Sequence, residues 1–267
     1  MFKLRREQLS QVFLHSPELV KRLIGKSSIG KNDTVIEIGP GKGIITKILL
    51  QSAKTVIAIE RDPTLYSQLK QQFCSYSNLD LICADFLSFK LPNEPYKVFA
   101  NIPFSIEGKI IRKLIDAPNP PEDCYLVMRE ELAKRLAGIF NNGLFAITHK
   151  PWFDFEIFHR FQRIDFIPKP QVESAMLRFY KRTNPLLPES EKPRFQKFVT
   201  NIFGGGRRMR QNLRQEFNPD QINNLSQQLK INLNSKSKRL SPDQWISLYR
   251  YKYLSLRGAP TIGSRTT

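Results

Sequence analysis

Val35-Ile36-Glu37-Ile38 runs directly into Gly39-Pro40-Gly41-Lys42-Gly43, an apolar strand followed by a glycine-rich turn. Glycines at 39, 41 and 43 let the backbone approach a ligand with no side chain in the way. The next apolar stretch ends in Glu60, at a spacing where an acid accepts hydrogen bonds from ribose hydroxyls. A third ends in Ala84-Asp85-Phe86, which puts a carboxylate and an aromatic ring at the same edge. Taken singly, each acid is an ordinary solvated strand end. Glycines, Glu and Asp at three successive strand ends describe a nucleoside site. The spacing is GxGxG rather than the GxGxxG that cradles a dinucleotide pyrophosphate, which favours S-adenosylmethionine over a nicotinamide cofactor.

The fourth stretch, Phe99-Ala100-Asn101-Ile102-Pro103-Phe104, points to the reacting partner. The exocyclic amine of adenine is a poor nucleophile because its lone pair is delocalised into the ring. Methylating it requires acceptors for its N–H groups while the nitrogen pyramidalises. Asn101 offers a side-chain carbonyl, and Ile102 a main-chain carbonyl held by the stiff Ile-Pro bond. Phe104 offers a face on which an unstacked base can lie. A sulfonium methyl donor needs no strong base, so positioning supplies most of the catalysis. By itself this tetrapeptide is an ordinary strand-terminating turn; after a nucleoside site on the preceding strands it reads as the substrate side of that site.

These residues need a scaffold, and the hydropathy pattern supplies one. Ser16-Pro17-Glu18 is a helix start, with Leu19, Val20, Leu23 and Ile24 as the apolar stripe. Strands are expected over 34–38, 55–60, 79–83, 97–100 and 125–128, and helices over 44–53, 63–73, 106–116 and 129–137. Strands alternating with helices imply a mainly parallel sheet in an α/β fold. Two late strands, 153–161 and 172–180, are expected as an antiparallel hairpin closing one sheet edge. Pro185, Pro188 and Pro193 punctuate a polar run. The expected organisation is therefore a Rossmann-like domain over 1–182 and a small helical domain over 183–257, with helices over 194–203, 209–217, 219–229 and 242–254. A disordered tail is expected over 258–267.

Charge divides the chain in the same way. The net charge is +18, but residues 1–31 hold 7 basic and 2 acidic side chains, residues 32–177 balance, and residues 178–267 hold 18 basic against 5 acidic. A neutral core between basic ends suggests a site flanked by segments that grip a polyanion, and nucleic acid suits that better than an anionic membrane. Arg207, Arg208 and Arg210, beside three glycines, are the expected phosphate contacts. No apolar run approaches the length of a membrane span, so neither a transmembrane anchor nor a secretory signal is expected. Cys74, Cys83 and Cys124 lack metal-ligand spacing, and His15, His149 and His159 are scattered. No metal, a cytoplasmic location and a monomer are expected.

Gln11-Val12-Phe13-Leu14, Glu37 to Gly43, Ala58-Ile59-Glu60, Ala84-Asp85 and Asn101 to Phe104 occur together in an order and spacing that resembles the rRNA adenine N6-methyltransferases. The resemblance runs from about residue 8 to residue 254. Asn-Ile-Pro-Phe followed by Ile111-Arg112-Lys113-Leu114 looks like the Erm branch, as do 166–172 and 240–245; the small-subunit dimethyltransferases usually read Asn-Leu-Pro-Tyr at the tetrapeptide. The resemblance implies a Rossmann-like S-adenosylmethionine-dependent methyltransferase sheet with a C-terminal helical domain. It implies that Val12, Leu14, Gly39, Gly41, Glu60, Asp85 and Asn101 contact S-adenosylmethionine, with Asn101, Ile102 and Phe104 serving the target adenine. It implies methylation of 23S rRNA and resistance to macrolide, lincosamide and streptogramin B antibiotics. The alternatives are a housekeeping 16S rRNA dimethyltransferase, which the Arg-rich run at 203–213 resembles, and a non-catalytic nucleic-acid-binding protein on the same fold. Val12 departs from the family, which carries Asn there: a contact made through the backbone survives the change, whereas one made through the amide is lost.

Overall fold

The protein is described from a computed structural model over residues 12–139, 143–204 and 208–253. Arg207, Gln11 and the expected tail lie outside the described residues. In chain order the first unit contains β1 (Phe13–Leu14), α1 (Pro17–Lys26), β2 (Thr34–Ile38), α2 (Ile44–Ser52), β3 (Thr55–Glu60), α3 (Pro63–Gln72), β4 (Leu79–Cys83), β5 (Lys97–Asn101), α4 (Glu107–Ile115), β6 (Asp123–Arg129) and α5 (Glu130–Leu136). After α6 (Leu144–His149) come β7 (Phe153–Arg160), β8 (Phe166–Ile167) and β9 (Ser174–Lys181).

Seven strands form one sheet in the order β4-β3-β2-β5-β6-β9-β7. The pairings from β4 through β6 are all parallel, and β9 runs antiparallel to β6. The late strands close the edge as expected, with hydrogen bonds from Phe161 to Ser174 and from Arg182 to Trp152 at opposite ends of the pair. The chain steps outward from β2 to β4, then returns to β5 on the other side of β2. That reversal leaves a crevice at the carboxyl ends of β2 and β5, where ligands of open α/β sheets bind. Strands buried on both faces read as continuous apolar runs, which is why Val35, Ile36 and Val98 to Ala100 are fully covered.

Local chemistry sets the helix starts. The Ser16 hydroxyl accepts a 3.1 Å hydrogen bond from the Leu19 amide, and Asp62 caps α3 through the amides of Thr64 and Leu65. Leu19, Val20, Leu23 and Ile24 of α1 are buried; covering side chains of this size contributes about 1.5–3 kcal/mol each.

Among the described residues, the second compact unit comprises those of 138–153 and 182–253. The sequence reading put 138–153 in the first domain; the structure groups this segment with the second, where α6 contacts the helix Lys192–Phe203 (α7). The remaining helices are α8 (Met209–Leu213), α9 (Pro219–Gln228) and α10 (Pro242–Tyr253). Their core is aromatic: Phe195 meets Trp152 and Tyr249 edge-on, with ring centroids 5.8 and 5.2 Å apart.

Candidate active site

The glycine turn after β2 has the geometry its composition demands. Gly39, Gly41 and Gly43 have φ of +66°, +58° and +78°, a region that L side chains rarely adopt. Space constrains two of them further. A Cβ on Gly41 would sit 2.5 Å from the Phe13 ring, and one on Gly43 would sit 2.6 Å from Phe73. Gly39 has open space in front of it, so the turn is clear at its first glycine and tight at the other two.

Glu60, at the end of β3, ties this turn to the next one. Its side chain is 5% exposed and accepts hydrogen bonds from the Gly41 amide (3.1 Å) and the Asp62 amide (2.9 Å). Each carboxylate oxygen keeps a further lone pair for a hydroxyl donor. Asp85, beyond β4, accepts from the Leu87 amide at 2.8 Å. Lys113 of α4 secures the loop from below, donating to the carbonyls of Leu87 (2.9 Å) and Phe89 (2.5 Å) beneath the Phe86 ring. Burial lowers the Lys113 ammonium below its ordinary pKa, and the Asp85 carboxylate restores part of that. Lys113 was visible in sequence only as part of a branch motif; its positioning role depends on a helix placed by the fold.

Behind the turn, Glu37 is buried with neither carboxyl oxygen hydrogen-bonded among the described residues. Burial raises its pKa from 4.5 to about 8; the neighbouring Thr46 offsets part of the rise and the Glu60 charge adds to it. Glu37 is therefore a neutral carboxylic acid at neutral pH, and Glu60 is the acid that faces the cavity.

The Asn101 to Phe104 turn closes the opposite side. Asn101 Nδ2 donates a 2.6 Å hydrogen bond to the Val12 carbonyl. A carbonyl can only accept, so this bond fixes the amide's orientation and leaves Asn101 Oδ1 as the free acceptor. It also shows how Val12 takes part: through its backbone, whatever its side chain. Residues 12–14 are held in place by a two-stranded ribbon, β1 against β8, with Phe13 opposite Ile167 and Leu14 opposite Phe166. Phe166 itself is buried against Phe161, with centroids 5.2 Å apart, and Ile167 is the exposed residue of the pair.

All nine residues assigned in sequence to cofactor and adenine line one cavity of about 310 Å³: Val12, Leu14, Gly39, Gly41, Glu60, Asp85, Asn101, Ile102 and Phe104. Phe13, Ile59 and Pro63 join them, with no signal in sequence beyond their place in the flanking motifs. Arg208 and Arg210 are exposed residues of the second unit; Arg208 forms an isolated bridge with Lys236, and Arg210 bonds Asn223 at 3.2 Å. No helix among the described residues is long and apolar enough to cross a membrane, and no group of three metal-ligating side chains occurs among them.

Residues 2–253 match the family described as ribosomal RNA adenine dimethylase. The chain belongs to this family. As a member of the ribosomal RNA adenine dimethylases it is an rRNA adenine N6-methyltransferase that uses S-adenosylmethionine. It is 29% identical over 241 residues to an rRNA adenine N-6-methyltransferase of Bacillus anthracis, spanning 90% of this chain and 84% of the relative. It is 33% identical over 260 residues to ribosomal RNA small subunit methyltransferase A of Acaryochloris marina, spanning 91% and 95%. Among solved structures, the 23S rRNA methyltransferase ErmE superposes with a TM-score of 0.83 at 26% identity, over 90% of this chain and 99% of that one.

Proposed function

We propose that this dimethylase-family chain methylates N6 of one adenine in 23S rRNA, and so protects ribosomes from macrolide, lincosamide and streptogramin B antibiotics. The observation that carries the chemistry is the Asn101 amide, a residue of the cavity lining whose Nδ2 is held by the Val12 carbonyl, which leaves Oδ1 as an acceptor. The residues present suit the cofactor. Gly39 offers an unobstructed backbone, Glu60, bonded to the Gly41 amide of the same turn, offers lone pairs for ribose hydroxyls, and Asp85 offers an acceptor for the cofactor's adenine edge. When bound, S-adenosylmethionine supplies a sulfonium methyl with a good leaving group.

The chain's own residues then have three tasks. Asn101 Oδ1 and the Ile102 carbonyl accept the two N6–H bonds of the target adenine, drawing the amine lone pair out of conjugation and toward the methyl. Phe104 stacks on the adenine ring and replaces the neighbours it leaves behind. Ile102 is buried and its amide bonds the Val127 carbonyl at 3.3 Å, so the acceptor pair sits on a rigid strand end, as catalysis by positioning requires. After transfer, the surplus N6 proton passes to solvent at the cavity mouth.

The Asn-Ile-Pro-Phe sequence and the structural similarity to ErmE support the 23S assignment. A second reading, methylation of 16S rRNA, is favoured by the small-subunit relative at 33% identity. The basic second unit, with Arg207, Arg208 and Arg210, serves as the phosphate-gripping part of a monomeric cytoplasmic enzyme in either case. Incubating the protein with tritiated cofactor and separate 23S and 16S transcripts distinguishes the two: label in 23S supports the proposal, and label in 16S alone supports the alternative.

A further inference from the structure

Glu107 is a buried acid that does not line the adenine cavity. An acid in the first turn of a helix ordinarily sits in solvent and complements the helix dipole. Glu107 opens α4 and is instead 2% exposed. Both of its oxygens are bound to one residue of another element, Arg129 at the end of β6. Oε1 accepts from Arg129 Nε at 2.6 Å, with Nη2 also 2.6 Å away, and Oε2 accepts from the Arg129 amide at 3.1 Å. A buried ion pair is a weak source of stability, because taking two charges out of water offsets most of their attraction. What such a pair does supply is fixed geometry, and the part it fixes here is the turn that carries Phe104.

Residues 102–106 join β5 to α4 and gain little hold from packing: Pro103 and Ser105 are exposed, and Phe104 is half-buried. The start of α4 has no side-chain cap. The turn is tied at both ends to β6, the strand beside β5 in the sheet. At one end the Ile102 amide donates to the Val127 carbonyl at 3.3 Å; at the other the Glu107 carboxylate takes the Arg129 amide, two residues further along β6. A third bond, from the Ile106 amide to the Pro103 carbonyl at 3.1 Å, closes the turn around Phe104. Phe104 is therefore carried by a short loop pinned on both sides to one strand, and Glu107 is the side chain that makes the second pin. The Arg129 side chain is 49% exposed, so water can solvate the guanidinium when that pin is loosened.

We propose that Glu107 is a positioning residue for methyl transfer: held by Arg129, it fixes the far end of the 102–106 turn and so sets where the Phe104 ring meets the target adenine. The inference rests on the reading of Phe104 as the adenine's stacking face, and Glu107 acts only through that ring. Glu107→Gln is nearly isosteric and puts an amide donor opposite either the Arg129 guanidinium or its main-chain N–H, which opens one of the bonds. In the full chain, the affinity and stoichiometry of S-adenosylmethionine binding by calorimetry should match wild type. On whichever of the 23S and 16S transcripts wild type labels, kcat for tritiated methyl transfer should fall by about 10- to 10²-fold, with KM for RNA little changed. Arg129→Lys keeps the charge and the main-chain bond but loses the guanidinium fork, and should lose less. The double-mutant cycle with Phe104 is decisive. In a Phe104→Ala background, Glu107→Gln should cost no more than about twofold, because the ring it positions is gone. The same fold loss in both backgrounds, or a Glu107→Gln enzyme at the wild-type rate, overturns the positioning role and leaves the functional reading intact. A lower rate matched by a lower cofactor stoichiometry overturns it as well, as plain loss of folded protein. Phe104→Ala at the wild-type rate overturns the functional reading itself.

Discussion

Replacing Glu37 with glutamine separates the buried acid from every other titrating group. Folded Glu37 is a neutral acid with its pKa pushed up to about 8, while in the unfolded chain it ionises near 4.5. Between those values the folded state holds a proton that the unfolded state has lost, so this residue lowers stability progressively as pH rises from 4.5 to 8. Three pH units within that window, at 1.36 kcal/mol each, amount to about 4 kcal/mol between pH 5 and pH 8. The substituted amide does not titrate, so the cost of burying it is independent of pH. Glu37→Gln should therefore be no more stable than wild type at pH 5 and more stable at pH 8, with the difference growing by about 4 kcal/mol. Urea unfolding at pH 5, 6, 7 and 8 with equal m-values reads this directly, and groups shared by both proteins cancel. Parallel stability profiles for the two proteins would mean that Glu37 is already ionised in the fold, and the burial argument would fail.

Two further predictions concern the cavity. Glu60→Gln turns one acceptor into a donor facing either the Gly41 or the Asp62 amide, so S-adenosylmethionine affinity by calorimetry should fall by about 1–3 kcal/mol; unchanged affinity would remove Glu60 from the ribose site. Val12→Asn should leave cofactor affinity and turnover close to wild type, because Asn101 uses the backbone carbonyl of residue 12; a clear gain in affinity would mean that the side chain at this position, which also lines the cavity, is what matters.

The sheet was legible in sequence because its strands are short buried apolar runs bounded by turn residues: 34–38, 55–60 and 79–83 have the bounds expected of them. The glycine turn and the strand-end acids were legible for the same reason, since strand ends fix where such residues emerge. The β1–β8 ribbon was not. Two residues carry no periodicity, and the partners of Phe13 and Leu14 lie more than 150 positions away. The segment Gly138–Phe153 was also misplaced, because α6 packs on α7, a helix more than 40 positions further along the chain. The amide–carbonyl bond from Asn101 to Val12 depends on that ribbon, so the orientation of the main adenine acceptor could be read only from the structure.

The central claim is that Asn101 and Phe104 present an rRNA adenine to the methyl donor. Mapping tritiated methyl groups on 23S and 16S rRNA, with folding and cofactor binding measured alongside, tests it most directly. Wild type should label a single adenine of 23S rRNA at N6. Asn101→Ala should lose about 10²–10³ in rate, as expected when one transition-state acceptor is removed. Phe104→Ala should lose about 1–3 kcal/mol of base stacking that Phe104→Tyr retains. Folded Asn101→Ala and Phe104→Ala proteins that methylate at wild-type rates would contradict the account, and label confined to 16S rRNA would contradict the 23S assignment.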